Sequence, residues 1–187
     1  NLTYYLSGFG LQRQDGSWYD IPAYHMVVAQ DKPIDTINLG LVPEGRYTAM
    51  RFYIGVDSIN NHGDPAAWPN THPLSLMRGG QMHWSWNSGY IFLKMEGRYR
   101  KPATENGFYS YHIGRDDLIT PITISGLNVN GGENRSVTSL VFDAATFFNT
   151  PHVHMISDTS GFTHSSYGDP IADVLHGNMF GLFKKKP

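Results

Sequence analysis

Residues 46–56 alternate strictly: Tyr47, Ala49, Arg51 and Tyr53 fall on one side, and Thr48, Met50, Phe52 and Ile54 on the other. A period of two belongs to a strand with one face drier than the other, and a helix cannot keep it. Comparable short runs lie at residues 2–12, 24–30, 36–41, 89–100, 107–113, 121–129 and 136–142. Turn formers separate them: Asp15-Gly16, Pro43-Glu44-Gly45, Glu105-Asn106-Gly107 and Asn130-Gly131-Gly132. Short strands with this punctuation predict an all-β fold, an antiparallel β-sandwich-like single domain with long loops. A chain of 187 residues is long enough to give such a domain a real core.

Helix is scarce in the pattern. Residues 143–149 predict one short helix. A second is expected near the C-terminus, where Asp169 can cap and Pro170 suits the first helical position. The run Lys184-Lys185-Lys186 is then expected at the negative end of that helix.

Charge and composition remove whole classes of function. Lys and Arg number 14 against 16 Asp and Glu, a formal net charge of −2, so no basic footprint for nucleic acid exists. No apolar run approaches the roughly 20 residues of a membrane helix. The chain opens Asn1-Leu2-Thr3-Tyr4, already strand-like, with no signal peptide, as expected equally of a mature secreted product and of a trimmed chain. Cysteine is absent, which excludes disulfides, thiolate metal sites and cysteine nucleophiles. Nine histidines and seven methionines are then the only soft or borderline metal ligands.

Enzyme signatures fail as well. The sequence has no G-x-S-x-G elbow, no H-E-x-x-H and no phosphate-binding glycine pattern. Asp116 and Asp117 read as a solvated turn pair. An N-terminal-histidine copper oxygenase is excluded because residue 1 is asparagine.

The longest stretch without strand character is residues 57–86. About 30 irregular residues is unusual in a compact domain and tends to be functional. It holds His62, His72 and His83 together with Trp68, Trp84 and Trp86, three of the four tryptophans. His62 lies in its Gly/Asp/Pro-rich part, whereas His112 lies in the strand-like Phe108-Tyr109-Ser110-Tyr111-His112-Ile113-Gly114. Imidazole suits copper and zinc, and two histidines alone suit cuprous ion better than four-coordinate zinc. The plainer reading of each histidine is a hydrogen-bonded structural or surface residue. His25 is expected in the core, and His152, His154, His164 and His176 on the surface. Asp57, Asn60, Asn61 and Asp64 could form a calcium loop, but they lack EF-hand spacing, and Asx turns explain them equally.

Several runs taken in order carry a resemblance. They are Leu39-Gly40-x-x-Pro43-x-Gly45-x-Tyr47, Gly55-Val56-Asp57-Ser58, Asn61-His62-x-Asp64-Pro65 and His72-Pro73-Leu74. Next come Met82-x-Trp84-x-Trp86-x-x-Gly89-Tyr90-Ile91-Phe92-Leu93-Lys94-x-Glu96-Gly97 and Tyr111-His112-Ile113-Gly114. From Tyr4 through Ile113 the chain resembles the MbnP-like copper-binding family. A weaker echo follows at Ile171-Ala172-Asp173 and Met179-Phe180. Within that family it is most similar to the copper-repressible surface proteins CorA and MopE of methane-oxidising bacteria.

The resemblance implies a β-rich, sandwich-like fold and one copper ion, held as Cu(I) by two histidines and a tryptophan oxidised to kynurenine. Indole offers an N–H and no usable lone pair, so such a ligand requires modification. On this resemblance His62, Trp68 and His112 are the expected ligands. Trp68 is chosen because it shares the loop with His62, while Trp84 and Trp86 are expected to pack as core or rim. His72 and His83 keep the histidine assignment open, with His83 expected to face outward. A partner enzyme that oxidises the tryptophan is implied, and so is an exported, surface or periplasmic location. The alternatives are a β-sandwich module binding carbohydrate or protein on a platform of Trp68, Trp84 and Trp86, and a copper enzyme. The expectation is a binding protein without catalytic activity.

Overall fold

The computed structural model of the chain describes residues 1–29, 35–85, 88–100, 106–132 and 135–186. Eleven strands are present among them: β1 (Leu2–Arg13), β2 (Trp18–Val28), β3 (Gly45–Ile54), β4 (His83–Ser85), β5 (Gly89–Tyr90), β6 (Leu93–Tyr99), β7 (Gly107–Ile113), β8 (Thr120–Gly131), β9 (Leu140–Phe142), β10 (Phe162–Thr163) and β11 (Phe183–Lys185). The α-helices are α1 (Ser58–Asn61), α2 (Leu76–Gly79), α3 (Thr146–Asn149) and α4 (Pro170–Met179). Among the described residues no helix is long and apolar enough to cross a membrane.

The main sheet has seven strands, in the order β10-β7-β6-β1-β3-β8 with β2 also paired to β1. Every pair is antiparallel except β10 beside β7, which is parallel. β1 is the branch point. Leu2 to Tyr4 pair with β6, and from Leu6 onward the same edge pairs with β3. Tyr5 sits at the fork, its N–H donating to Phe92 O at 2.9 Å and its carbonyl accepting from Gly55 N at 3.0 Å.

Strand β1 is buried almost throughout, because both faces of the sheet are covered. Tyr4 belongs to one core cluster and Tyr5 to the other, as alternation requires. On the Tyr4 side lie α3, α4 and the β9–β11 pair. Tyr4 stacks on Phe142 at 5.0 Å, and Phe183 meets Phe52 edge-on at 5.1 Å. On the Tyr5 side, Leu74, Met82, Tyr90 and Phe92 close a second cluster with Tyr5. The fold is thus all-β and sandwich-like, with a short C-terminal helix.

Local signals account for most boundaries. β7 occupies the predicted residues, and α4 starts on Asp169, whose carboxylate accepts from Ile171 N at 2.9 Å, with Pro170 first in the helix. Three expectations fail. Residues 36–41 are irregular, because Asn38 Oδ1 accepts from Gly40 N at 2.9 Å and this Asx turn replaces a strand ladder. The predicted 136–142 strand shortens to β9, whose partner β11 is only three residues long. Lys184 and Lys185 lie on that partner strand, not at a helix end, and Lys184 Nζ pairs with Asp143 at 2.9 Å. Gln30 and Glu105, at the edges of a predicted strand and a predicted turn, lie outside the described residues.

The Tyr5 hydroxyl is buried without a hydrogen-bond partner among the described residues. It lies so close to α2 that a Cβ on Gly79 would stand 2.2 Å from it. Tyr5→Phe therefore removes a polar atom that nothing satisfies. Chemical denaturation should show unchanged stability or a gain of up to about 1 kcal/mol, since an unmade buried bond is a cost of that order. A loss above that size would reveal a partner for the hydroxyl.

Candidate metal centre

Residues 57–85 are more ordered than their composition suggests. Asp57 caps α1 by accepting from Asn60 N at 3.2 Å, and it also receives the Tyr24 hydroxyl. Asp64 caps the short 3-10 turn Pro65–Ala67 through Ala66 N at 2.8 Å. Asn61 is fully buried: its Nδ2 donates to Asp116 Oδ1 and its Oδ1 accepts from Tyr90 N, both at 2.7 Å. Asp57, Asn61 and Asp64 thus each place a side-chain oxygen in a cap or a bridge.

Asn61 also explains Gly89. There φ is +71°, and a Cβ would come 2.3 Å from Asn61 Oδ1. The loop is clamped to β5 at this point, and the next residue is His62.

His62 Nε2 lies 3.0 Å from Asp116 Oδ2, and the ring is 45% exposed. Asp116 also accepts from Ser58 Oγ at 2.5 Å, so it is not the solvated turn residue expected. Burial pushes this carboxyl upward, but the Ser58, Asn61 and His62 hydrogen bonds outweigh it and hold it below the usual range. Asp117 is likewise engaged, by the Arg115 guanidinium at 2.7 Å.

His112 repeats the arrangement on a strand. Its Nε2 lies 2.8 Å from Glu96 Oε1, and the ring is 13% exposed. Burial pushes the imidazole below the usual histidine range, against the opposing pull of Glu96. Glu96 is raised by burial, yet the bonds from His112 and Asn1 with nearby Lys94 hold it below the usual carboxylate range. An ionised carboxylate only accepts, so Nε2 is the nitrogen that donates to it in both histidines, and in the neutral imidazole Nδ1 then keeps its lone pair. In His112 that Nδ1 is buried with no partner among the described residues. Carboxylate-backed histidines with the other nitrogen free are the usual preparation of a metal ligand.

Tryptophan placement differs from expectation. Trp68 is half-buried and stacks on His72, 3.9 Å between ring centroids and 8° between planes, with Tyr24 at 6.3 Å. Trp84, on β4, lies 6.5 Å from the His112 ring and 6.5 Å from His164, and a Cβ on Gly114 would meet it at 3.1 Å. Among the described residues no hydrogen bond or ring contact joins His62, Trp68 and His112 to one another. No three His, Asp or Glu side chains converge there as a ready-made metal site. Trp86 lies outside the described residues.

Residues 1–165 match the profile of the MbnP family. The chain belongs to the MbnP family. Its fold is similar to that of MbnP from Methylosinus trichosporium, with a TM-score of 0.59 over 93% of this chain and 74% of that one, at 16% identity. No curated protein matches the sequence. The MbnP-family match contains both histidine–carboxylate pairs and all the tryptophans of the loop, whereas α4 and β11 lie beyond it.

Other histidines correct the sequence reading. His25 is not a core residue but a half-buried partner of Asp35 at 2.9 Å on β2. His83 does not face outward: its ring meets Tyr90 edge-on at 4.7 Å, and its Nε2 is buried. His154 is no free surface group either, because its Nε2 lies 2.9 Å from the Tyr111 hydroxyl. The Nε2 of His176 is buried on α4 beside Phe180. Sequence reasoning also missed Glu96, Asp116 and His164. Glu96 was within reach, since the β6–β7 register sets Lys94 opposite His112 and Glu96 opposite Ser110.

Proposed function

We propose that this MbnP-family chain is an exported copper-binding protein, without catalytic activity, that works in copper acquisition or delivery. It holds one ion as Cu(I), with His62 and His112 as imidazole ligands. The observation that supports this reading is the shared preparation of the two histidines. Each gives its Nε2 proton to a carboxylate and leaves Nδ1 as a donor, and neutral imidazole suits copper. The nearby side chains offer no thiolate, so the site favours an ion content with few nitrogen donors.

A third donor comes from a tryptophan of the loop. Oxidative cleavage of the indole C2–C3 bond by dioxygen, followed by loss of the formyl carbon as formate, leaves an aryl amine whose nitrogen can bind the metal. A separate oxidising enzyme is the partner this step requires. Trp68 was the choice by loop position, but Trp84 has the geometric claim, because its ring is beside His112 while Trp68 is occupied by His72. A carbohydrate platform would need open aromatic faces, and both Trp68 and Trp84 are half-buried.

Protein from its natural host should contain about one copper per chain, mainly cuprous. Peptide mass mapping should show one tryptophan that has exchanged a carbon for an oxygen, with Trp84 expected ahead of Trp68. Copper-loaded protein with every tryptophan intact would reduce the centre to a plain histidine site. Copper-free native protein would end the reading altogether.

A further inference from the structure

We propose that His164 is a further copper ligand, sharing one ion with His112 across the parallel edge of the main sheet. This rests on the copper reading above. Strands β10 and β7 pair with Phe162 opposite Ser110 and Thr163 opposite Tyr111. The next step of that register sets His164 beside His112, and in a parallel pair neighbouring residues project from the same face. The two rings stand 5.0 Å apart between centroids, at 70° to each other. Metal–nitrogen bonds of about 2 Å would let one ion be held by two rings at that separation.

The donors are unequal in a useful way. His112 is anchored: Glu96 fixes its ring, and its Nδ1 is buried with no partner. His164 is exposed, with no hydrogen bond to its ring among the described residues. Its backbone is nonetheless held. Ser165, buried and at φ +57°, donates its hydroxyl to His112 O at 2.7 Å and accepts from Gly114 N at 3.2 Å. A fixed main chain with a free ring suits a ligand that swings onto an arriving ion. Trp84, 6.5 Å from each imidazole, closes the third side.

The test uses the full recombinant chain, since both imidazoles are present whether or not a tryptophan is modified. Cu(I) is titrated against a chromophoric cuprous chelator for the parent, His112→Ala and His164→Ala. Ag(I), a redox-inert stand-in, is followed by nitrogen-15 resonances of the histidine rings. His164→Ala should lower Cu(I) affinity at least about tenfold with unchanged thermal unfolding, because an exposed ring contributes little to the core. Ag(I) should shift ring nitrogens of both His112 and His164. Parent-like affinity in His164→Ala, with His112 shifted by Ag(I) and His164 unmoved, overturns the assignment and leaves the copper reading standing. A parent chain that takes up no Cu(I) or Ag(I) overturns both.

Discussion

Exchanging Glu96 for glutamine should weaken copper binding about 10- to 100-fold, the usual cost of removing a carboxylate behind a metal-bound histidine. Glu96 accepts from His112 Nε2 at 2.8 Å and from the Asn1 side-chain amide at 3.0 Å. As an ionised acceptor it can only hold the tautomer with the proton on Nε2. A glutamine amide can also donate. It would then favour a proton on Nδ1, the nitrogen that must stay bare for the metal. Thermal stability should fall as well, because the partners of Glu96, Lys94 and His112, are only 9% and 13% exposed and the lost charge leaves Lys94 without its counter-ion. Competition with a cuprous chelator measures the effect. Unchanged affinity in Glu96→Gln would show that His112 does not ligate through Nδ1.

Asn61→Ala should be the most destabilising truncation of a polar side chain in the loop, at about 2–4 kcal/mol. The side chain is fully buried and bridges Tyr90 N to Asp116, each at 2.7 Å. Truncation leaves the Tyr90 N–H unpaired in the interior and strips one bond from a carboxylate, and each orphaned group costs about 1–3 kcal/mol. Asp116 then loses part of its frame, so the orientation of His62 loosens and copper affinity should fall with stability. Ser58→Ala removes another Asp116 bond at an exposed position and should cost far less. Urea denaturation compares the two. Equal midpoints for Asn61→Ala and the parent would mean that the loop is not clamped through this residue.

The two variants draw on different kinds of information. Glu96 lies on β6, which pairs antiparallel with β7, and both strands alternate. Asn61 looks like any asparagine in a polar loop, and nothing in its local sequence separates a buried bridge from an Asx turn. His62 and His112 could be named from residue type and position alone, whereas Asp116, which reads as a turn carboxylate, could not be matched to His62. The loop tryptophans show the same divide. Loop position alone favours Trp68 over Trp84, but stacking on His72 removes Trp68 from His112 and β4 pairing delivers Trp84.

What the sequence determined by itself is what short-range physics can carry. Alternation in 107–113 sets which face of β7 is dry, and Asp169-Pro170 starts α4, because these preferences act within a few residues. Only the tertiary structure decided that β1 forks between β3 and β6, and that β10 lies parallel to β7. A two-residue strand has no periodicity to read, and alternation names a buried face without naming the partner that covers it. His164 therefore reads as one more surface histidine along the chain. The packing of the whole sheet brings it to His112.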